Sequence, residues 1–162
     1  MQLSLKRKGD YAVRAMISVG RHYETGLRQA RQISTEMHIP YKTLTLILAG
    51  LVAEGLLVAR HGPKGGYRLA RPPSEISLLD IVEAAEGPTR VDRCVLRDGP
   101  YDWEQTCPVH DTWSRTQDAI IKELASTSLA DLTAIDAAIE NSSYQPQTPP
   151  HIQPTARHGN RN

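Results

Sequence analysis

The chain has 162 residues, 40% of them hydrophobic, and a formal net charge of +1. This length suits one compact domain, or a small domain with an oligomerisation arm. Because no apolar run approaches the ~18 residues of a membrane span and no apolar signal core follows the start, we expect a soluble cytoplasmic protein. Two cysteines without a secretory signal argue against a disulfide-stapled secreted domain, which leaves metal binding, redox chemistry or no special role for them.

The charge is unevenly distributed along the chain. Residues 1–75 carry a balance of +7, residues 76–141 a balance of −8, and the remainder two arginines and no acid. A basic first half joined to an acidic second half indicates a polyanion-binding module tethered to something else. Random surface charge is the alternative explanation.

Three helices are predicted in the basic half. Small and apolar residues recur at helical spacing over about 8–22, at Ala12, Ala15, Met16 and Val19. A shorter helix begins near Ala30 and stops before Pro40, which favours an extended residue ahead of it and can open the next helix. The third helix runs from Pro40 to Glu54, and its apolar stripe consists of Leu44, Ile47, Leu48, Leu51 and Val52.

The second and third helices are joined by a turn of about three residues. This arrangement is typical of a helix-turn-helix, whose second helix can enter a major groove. Four residues at the N-terminal end of that helix lie off the apolar stripe and can donate to phosphates or base edges: Tyr41, Lys42, Thr43 and Thr45. On these residues alone, an ordinary helical hairpin with a solvated face is an equal alternative.

The stretch RHGPKGGYRLARPP, residues 60–73, favours the DNA-binding alternative. LLVAR and YRLAR are short runs of strand-forming residues, and HGPKGG between them has the glycines and proline of a reversal. A hairpin directly after a helix-turn-helix is a wing. It would carry positive charge at Arg60, Lys64 and Arg68. Left-handed backbone angles and a close approach to another backbone are permitted at Gly62, Gly65 and Gly66. A nucleotide-binding loop fits poorly, because Gly-Gly-Tyr here opens a strand, whereas the Walker pattern needs Gly-Lys-Ser/Thr opening a helix.

The acidic half begins with a short packing helix. In SLLDIVEAAEG, Ser77 is the expected cap, Asp80 follows three residues on, and Gly87 ends the helix. In DTWSRTQDAIIKELAST, one face is too apolar to leave in water and needs a partner, most simply its own copy. That face consists of Trp113, Ile120, Ile121 and Leu124. Ser128 then caps LADLTAIDAAIE, which can fold back on the core, and residues from 142 on have the composition of a disordered tail.

The segments DYAVRAM, IPYKTLTLIL, GLLVARHGPKGGYRLARPPSEISLLDIVEAAEGP and TSLADL together resemble the Rrf-two family of bacterial winged-helix regulators. The resemblance extends from about Leu3 to Leu132. It implies a homodimer in which each subunit supplies a winged helix-turn-helix and a long helix that pairs across the two-fold axis. The best known branches are the iron–sulfur cluster biogenesis regulator and the nitric-oxide-sensing repressor.

The segment RCVLRDGPYDWEQTCPVHDTW holds both cysteines, and His110 follows Cys107 by three residues. Thiolates plus an imidazole can hold an iron–sulfur cluster or zinc, although this spacing alone is weak evidence. Cluster-binding members of the family generally carry three cysteines here. Cys94 looks like the first and Cys107 the third, whereas Gly99, Pro100 and Tyr101 occupy the neighbourhood of the middle one. His110 stands where the biogenesis regulator has its histidine ligand.

The resemblance also implies a ligand from helix one. Asp10 matches the position from which the nitric-oxide sensor contributes a carboxylate across the dimer. A redox-sensing actinobacterial branch uses a histidine where this chain has Arg14, which cannot ligate. The expected site is therefore an iron–sulfur cluster, with the two-iron form favoured, held by Cys94, Cys107, His110 and Asp10 of the other subunit.

Three alternatives stay open for these residues. Asp10 would then cap helix one or favour its positive N-terminal end, which is what Asp does there most often. His110 would be an ordinary residue of the first turn of the dimer helix. Both cysteines would be bystanders in a cluster-free regulator that responds to thiol oxidation or to a protein partner.

Together these features predict a mainly α fold, a winged helix-turn-helix with a long C-terminal dimerisation helix. The predicted function is a homodimeric repressor that binds double-stranded DNA at an inverted repeat and senses redox state, nitric oxide or iron–sulfur status through the cluster, with no membrane partner. Without a nucleophile-base-orienter set or a nucleotide fingerprint, we expect no enzyme. An electron-transfer or metal-trafficking protein, or a small redox enzyme, is the competing class. The predicted boundaries are 1–87 for the DNA-binding domain, 88–110 for the sensor loop, 111–141 for the dimerisation and fold-back helices, and 142–162 for the tail.

Overall fold

A computed structural model describes residues 5–89, 93–94, 99–100 and 108–145. Within these ranges the fold is mainly helical, as expected. The helices are α1 (Arg7–Arg21), α2 (Ala30–Glu36), α3 (Tyr41–Ala53), α4 (Leu78–Glu86), α5 (His110–Ser126) and α6 (Leu129–Glu140). The strands are β1 (Leu57–Arg60), β2 (Gly66–Leu69), β3 (Arg93–Cys94) and β4 (Gly99–Pro100), and a 3₁₀ turn covers Pro73–Glu75. In the described part of the chain, no helix combines the length and apolar character that crossing a membrane requires.

Helix α1 lies at the centre of the molecule and packs against α3, α4 and α6. The four small and apolar residues that define its predicted stripe, Ala12, Ala15, Met16 and Val19, are all buried. The stripe of α3 is buried too at Leu44, Ile47, Leu48 and Leu51. The sequence pattern therefore predicted correctly which face of each helix is buried. Between α2 and α3 the chain turns at His38, whose φ of 51° is in the left-handed region.

The wing is an antiparallel hairpin in which β1 pairs with β2, from Leu57 opposite Leu69 to Arg60 opposite Gly66. A third segment joins it, because the backbones of Arg28 and Tyr67 exchange two hydrogen bonds of 2.8 Å. Arg28, two residues before α2, therefore fixes the wing to the helix-turn-helix. The second sheet is shorter, with Arg93 opposite Pro100 and Cys94 opposite Gly99.

The chain returns from α5 to the core through a pair of equivalent helix starts. Ser77 and Ser128 each form a capping box, with Asp80 and Asp131 respectively. Backbone hydrogen bonds join the two starts, from Leu78 N to Thr127 O (2.8 Å) and from Leu129 N to Ile76 O (2.7 Å). Helix α6 consequently folds back onto α1, while α5 packs against α4. The predicted tail lies largely outside the described residues.

Candidate nucleic-acid interface and metal centre

The face of α3 opposite the core is the surface predicted to contact DNA. Tyr41, Lys42 and Thr43 are exposed, and Thr45 is half-buried. The Thr45 hydroxyl donates to Lys42 O at 2.9 Å. This bond uses the only hydroxyl proton of Thr45, so a contact in which Thr45 donates to DNA requires the hydroxyl to rotate, and that contact stays a prediction.

The wing presents its cations to solvent. Leu57 and Leu69 are buried, whereas Arg60, Lys64 and Arg68 are exposed. Two physical causes explain the glycines of the reversal. Gly62 has a φ of 107°. At Gly66 the reason is steric, because an added Cβ would lie 2.6 Å from Arg28 O.

A cleft of about 350 Å³ separates the wing from the N-terminal ends of α2 and α3. It brings Arg31 and Tyr41 together with Arg60 and His61 of the wing. The Arg31 guanidinium carbon lies 6.0 Å from the centre of the Tyr41 ring, within the range of a cation–π contact. The sequence analysis did not include Arg31 among the DNA-facing residues. Its position in the first turn of α2, the first helix of the predicted helix-turn-helix, could have indicated it.

A partly buried ion-pair cluster supports this surface from beneath. Glu36 of α2 accepts a hydrogen bond of 2.7 Å from Ser18 Oγ and pairs with Arg28 and Arg21. Burial acts to raise the pKa of Glu36, but the hydrogen bonds from Ser18 and Arg28, with the charges of both arginines, outweigh it and hold the pKa below its usual value. Glu36 is therefore an anion at neutral pH, and it ties α1, α2 and the Arg28 segment together.

The helix-one residue expected to bind a cluster is engaged within its own chain. Asp10 lies in the first turn of α1, but the N-cap position belongs to Lys6. Asp10 is therefore not the cap, but its place in the first turn fits the other half of that alternative, a carboxylate near the positive N-terminal end of the helix. Both carboxylate oxygens accept from Arg14, Oδ1 from Nε at 3.1 Å and Oδ2 from a terminal nitrogen at 3.0 Å.

The structure describes the remaining expected ligands only in part. His110 is the first residue of α5 and is half-buried. Cys94 ends β3, and its side chain lies outside the described residues, as does all of Cys107. Among the residues that the structure describes, no three His, Cys, Asp or Glu side chains come close enough to hold a metal ion. Cys94 pairs through its backbone with Gly99.

These elements define a winged helix-turn-helix protein with a basic DNA-facing surface. The family model Rrf2, described as an iron-dependent transcriptional regulator, matches residues 5–135. The chain therefore belongs to the Rrf2 family, which confirms the resemblance stated from its motifs. The family consists of transcriptional regulators and not of enzymes.

Individual proteins resemble this chain over most of its length. The HTH-type transcriptional regulator IscR of Photorhabdus laumondii is 32% identical over 130 residues, covering 80% of this chain and 79% of its own. The solved structure of T. potens IscR has a TM-score of 0.67 at 28% identity and covers 90% of this chain and 96% of its own. CymR, the global cysteine regulator of B. subtilis, also has a TM-score of 0.67 at 28% identity, over 82% and 98%.

Proposed function

We propose that this transcriptional regulator is a homodimeric repressor that binds an inverted-repeat operator in double-stranded DNA. The observation that carries the proposal is the cleft between the wing and α3, which is lined by both Tyr41 and the wing cation Arg60. In this proposal α3 enters the major groove with Lys42 and Thr43 leading, and the wing contacts the adjacent backbone or minor groove. A two-fold axis between subunits then requires two inverted half-sites.

The test is the salt dependence of binding to DNA selected from a random-sequence pool. Lys64→Ala should flatten the slope of log affinity against log salt by about 0.9, because one fewer phosphate counterion is released. Lys122→Ala is the matched control, since Lys122 is an exposed cation on α5, away from the wing. An unchanged slope and affinity for Lys64→Ala would remove this residue from the interface.

The dimer is proposed to form through α5. None of the α5 side chains is fully buried within one chain, and Trp113, Ile120, Ile121 and Leu124 are only half-buried. A second copy of the same face would bury these apolar residues.

We propose that the signal is redox state, nitric oxide or iron–sulfur status, received by an iron–sulfur cluster on Cys94, Cys107, His110 and the partner subunit's Asp10. The donor set suits a cluster, because thiolates dominate such sites and an imidazole and a carboxylate can complete them. A bound cluster would supply a change in charge, or a loss of ligation, on reaction with the signal. The residues of this chain would transmit that change as a different angle between the two winged modules. A free-energy difference of about 1.4 kcal/mol between the two arrangements alters operator affinity tenfold.

A cluster-free regulator controlled by a thiol switch or a protein partner is the second candidate. It is favoured by the Asp10–Arg14 ion pair, which occupies both oxygens of one proposed ligand. The similarity to a cysteine regulator points the same way. The absorption spectrum of the full-length protein, purified anaerobically with iron and sulfide supplied, separates the candidates. Visible charge-transfer bands support the cluster, and a colourless protein with normal DNA binding supports the alternative.

A further inference from the structure

Leu46 is the most exposed large hydrophobic side chain in the described part of the chain. It is 75% exposed, against 55% for Ile139, which comes next. A single exposed leucine is ordinary on a protein surface. Leu46 is unusual for its position, in the middle of α3 and directly before the buried pair Ile47 and Leu48.

Helical spacing aligns Leu46 with the residues predicted to face DNA. It lies four residues after Lys42 and three before Ala49, so the three share one face of α3. Lys42 and Ala49 are both exposed, and this face points away from the core. The face is thus cationic at its N-terminal end, apolar in the middle and small beyond, which suits a helix lying in a groove between phosphates.

The major groove offers one apolar feature on its base edges, the C5-methyl group of thymine. We propose that Leu46 contacts this methyl group and makes thymine a required base at one position of each half-site. The inference rests on the proposed function, in which α3 enters the major groove. Leu46 can neither donate nor accept a hydrogen bond, so its discrimination depends on apolar surface removed from water.

The experiment uses full-length protein and a duplex selected by it from a random-sequence pool. Each thymine of the duplex is replaced in turn by deoxyuridine, which lacks only the methyl group. For the wild-type protein, one position per half-site should weaken binding by about fourfold, as expected for one buried methyl-sized group. Leu46→Ala should bind the thymine and uracil duplexes equally, whereas Leu46→Met should retain part of the discrimination.

Two controls separate this contact from other causes. Ile139→Ala removes a comparably exposed side chain from α6 and should keep the wild-type ratio between thymine and uracil duplexes. Leu46→Ala should leave the slope of log affinity against log salt unchanged, because no phosphate contact is lost, while Lys42→Ala should flatten it.

The outcomes distinguish this inference from the function on which it rests. If the wild-type protein binds every uracil duplex as tightly as the parent, or if Leu46→Ala keeps the full discrimination, the methyl contact is wrong while DNA binding stands. If the selection yields no duplex at all, both are overturned. Loss of discrimination confined to Leu46→Ala supports the contact.

Discussion

The Arg21 guanidinium of α1 lies 3.4 Å from Glu36 Oε1 of α2. The same guanidinium pairs with Asp136 and, at 2.8 Å, with Glu140, both of α6. One arginine thus connects the first helix of the helix-turn-helix with the helix that returns from α5. A movement of α6 against α1 would therefore disturb the Arg21–Glu36 ion pair. Because Glu36 also pairs with Arg28, and Arg28 bonds the wing at Tyr67, the disturbance has a connected route to the wing.

Replacing the Glu36 carboxylate should destabilise the fold. Glu36→Gln removes the charge that pairs with Arg28 and Arg21 while keeping the side-chain shape. Because Glu36 is only 23% exposed, we expect a loss of about 1–3 kcal/mol in the free energy of unfolding, the range for a hydrogen-bonded charge. Urea denaturation measures it. Arg14→Gln is the control, since its pair with Asp10 is exposed and should contribute under ~1 kcal/mol. Equal midpoints for the two variants would contradict the prediction.

The lowered pKa of Glu36 also sets the direction of a pH dependence. An unfolded-state carboxyl titrates near 4.5 and the folded one below it. The stabilisation is therefore fully present above about pH 4.5 and is lost as the pH falls through the folded pKa. The difference in unfolding free energy between wild type and Glu36→Gln should be constant from pH 7 to 5 and shrink below 4.5. A difference that grows on acidification would show that the sign is wrong.

Two glycine substitutions should act in opposite directions. An alanine Cβ at Gly66 would lie 2.6 Å from Arg28 O and force apart the backbone pair that holds the wing. We expect Gly66→Ala to destabilise by about 1–3 kcal/mol and to weaken DNA binding. Gly50 of α3 has open space at its Cβ position. Gly50→Ala should stabilise by up to ~1 kcal/mol, the helix-propensity difference. Thermal unfolding compares them, and the same sign for both would refute the steric explanation.

The sequence predicted the elements that depend on local periodicity and failed where a partner comes from far along the chain. The apolar stripes of α1 and α3 and the Ser77 cap were correct because each is encoded within a few residues. The Arg28–Tyr67 pairing joins segments 39 residues apart, so no local pattern marks it. The Asp10–Arg14 pair was within reach, since i,i+4 ion pairs are a helix pattern. The family resemblance instead implied a metal-ligating role for Asp10.

Charge placed on the apolar face of α5 should prevent dimer formation. Ile121→Glu would bury an unpaired carboxylate between two copies, which costs several kcal/mol unless water reaches it. We expect the variant to sediment as a monomer at micromolar concentration, while Lys122→Glu, altered at the neighbouring exposed position, stays dimeric. Circular dichroism verifies that both variants are folded. An intact Ile121→Glu dimer would show that the subunits pair through another surface.

The cluster proposal predicts two tiers of variants. Cys94→Ser and Cys107→Ser, purified without oxygen, should be nearly colourless, because losing either thiolate leaves too few strong donors to retain iron. His110→Ala and Asp10→Ala should keep the visible absorption anaerobically but lose it faster in air. The reason is that losing one of these weaker ligands loosens the site without removing the thiolates that retain the iron.

Arg14 tests the carboxylate ligand separately, because Asp10 must leave its ion pair with Arg14 before it can bind a metal. If the partner subunit's Asp10 is a ligand, Arg14→Gln should slow the bleaching of the absorption in air, opposite to Asp10→Ala. Identical bleaching of wild type, Arg14→Gln and Asp10→Ala would remove Asp10 from the ligand set. Metal analysis completes the test. Zinc in place of iron would exclude an iron redox signal even with the same ligands, because zinc has no second accessible oxidation state.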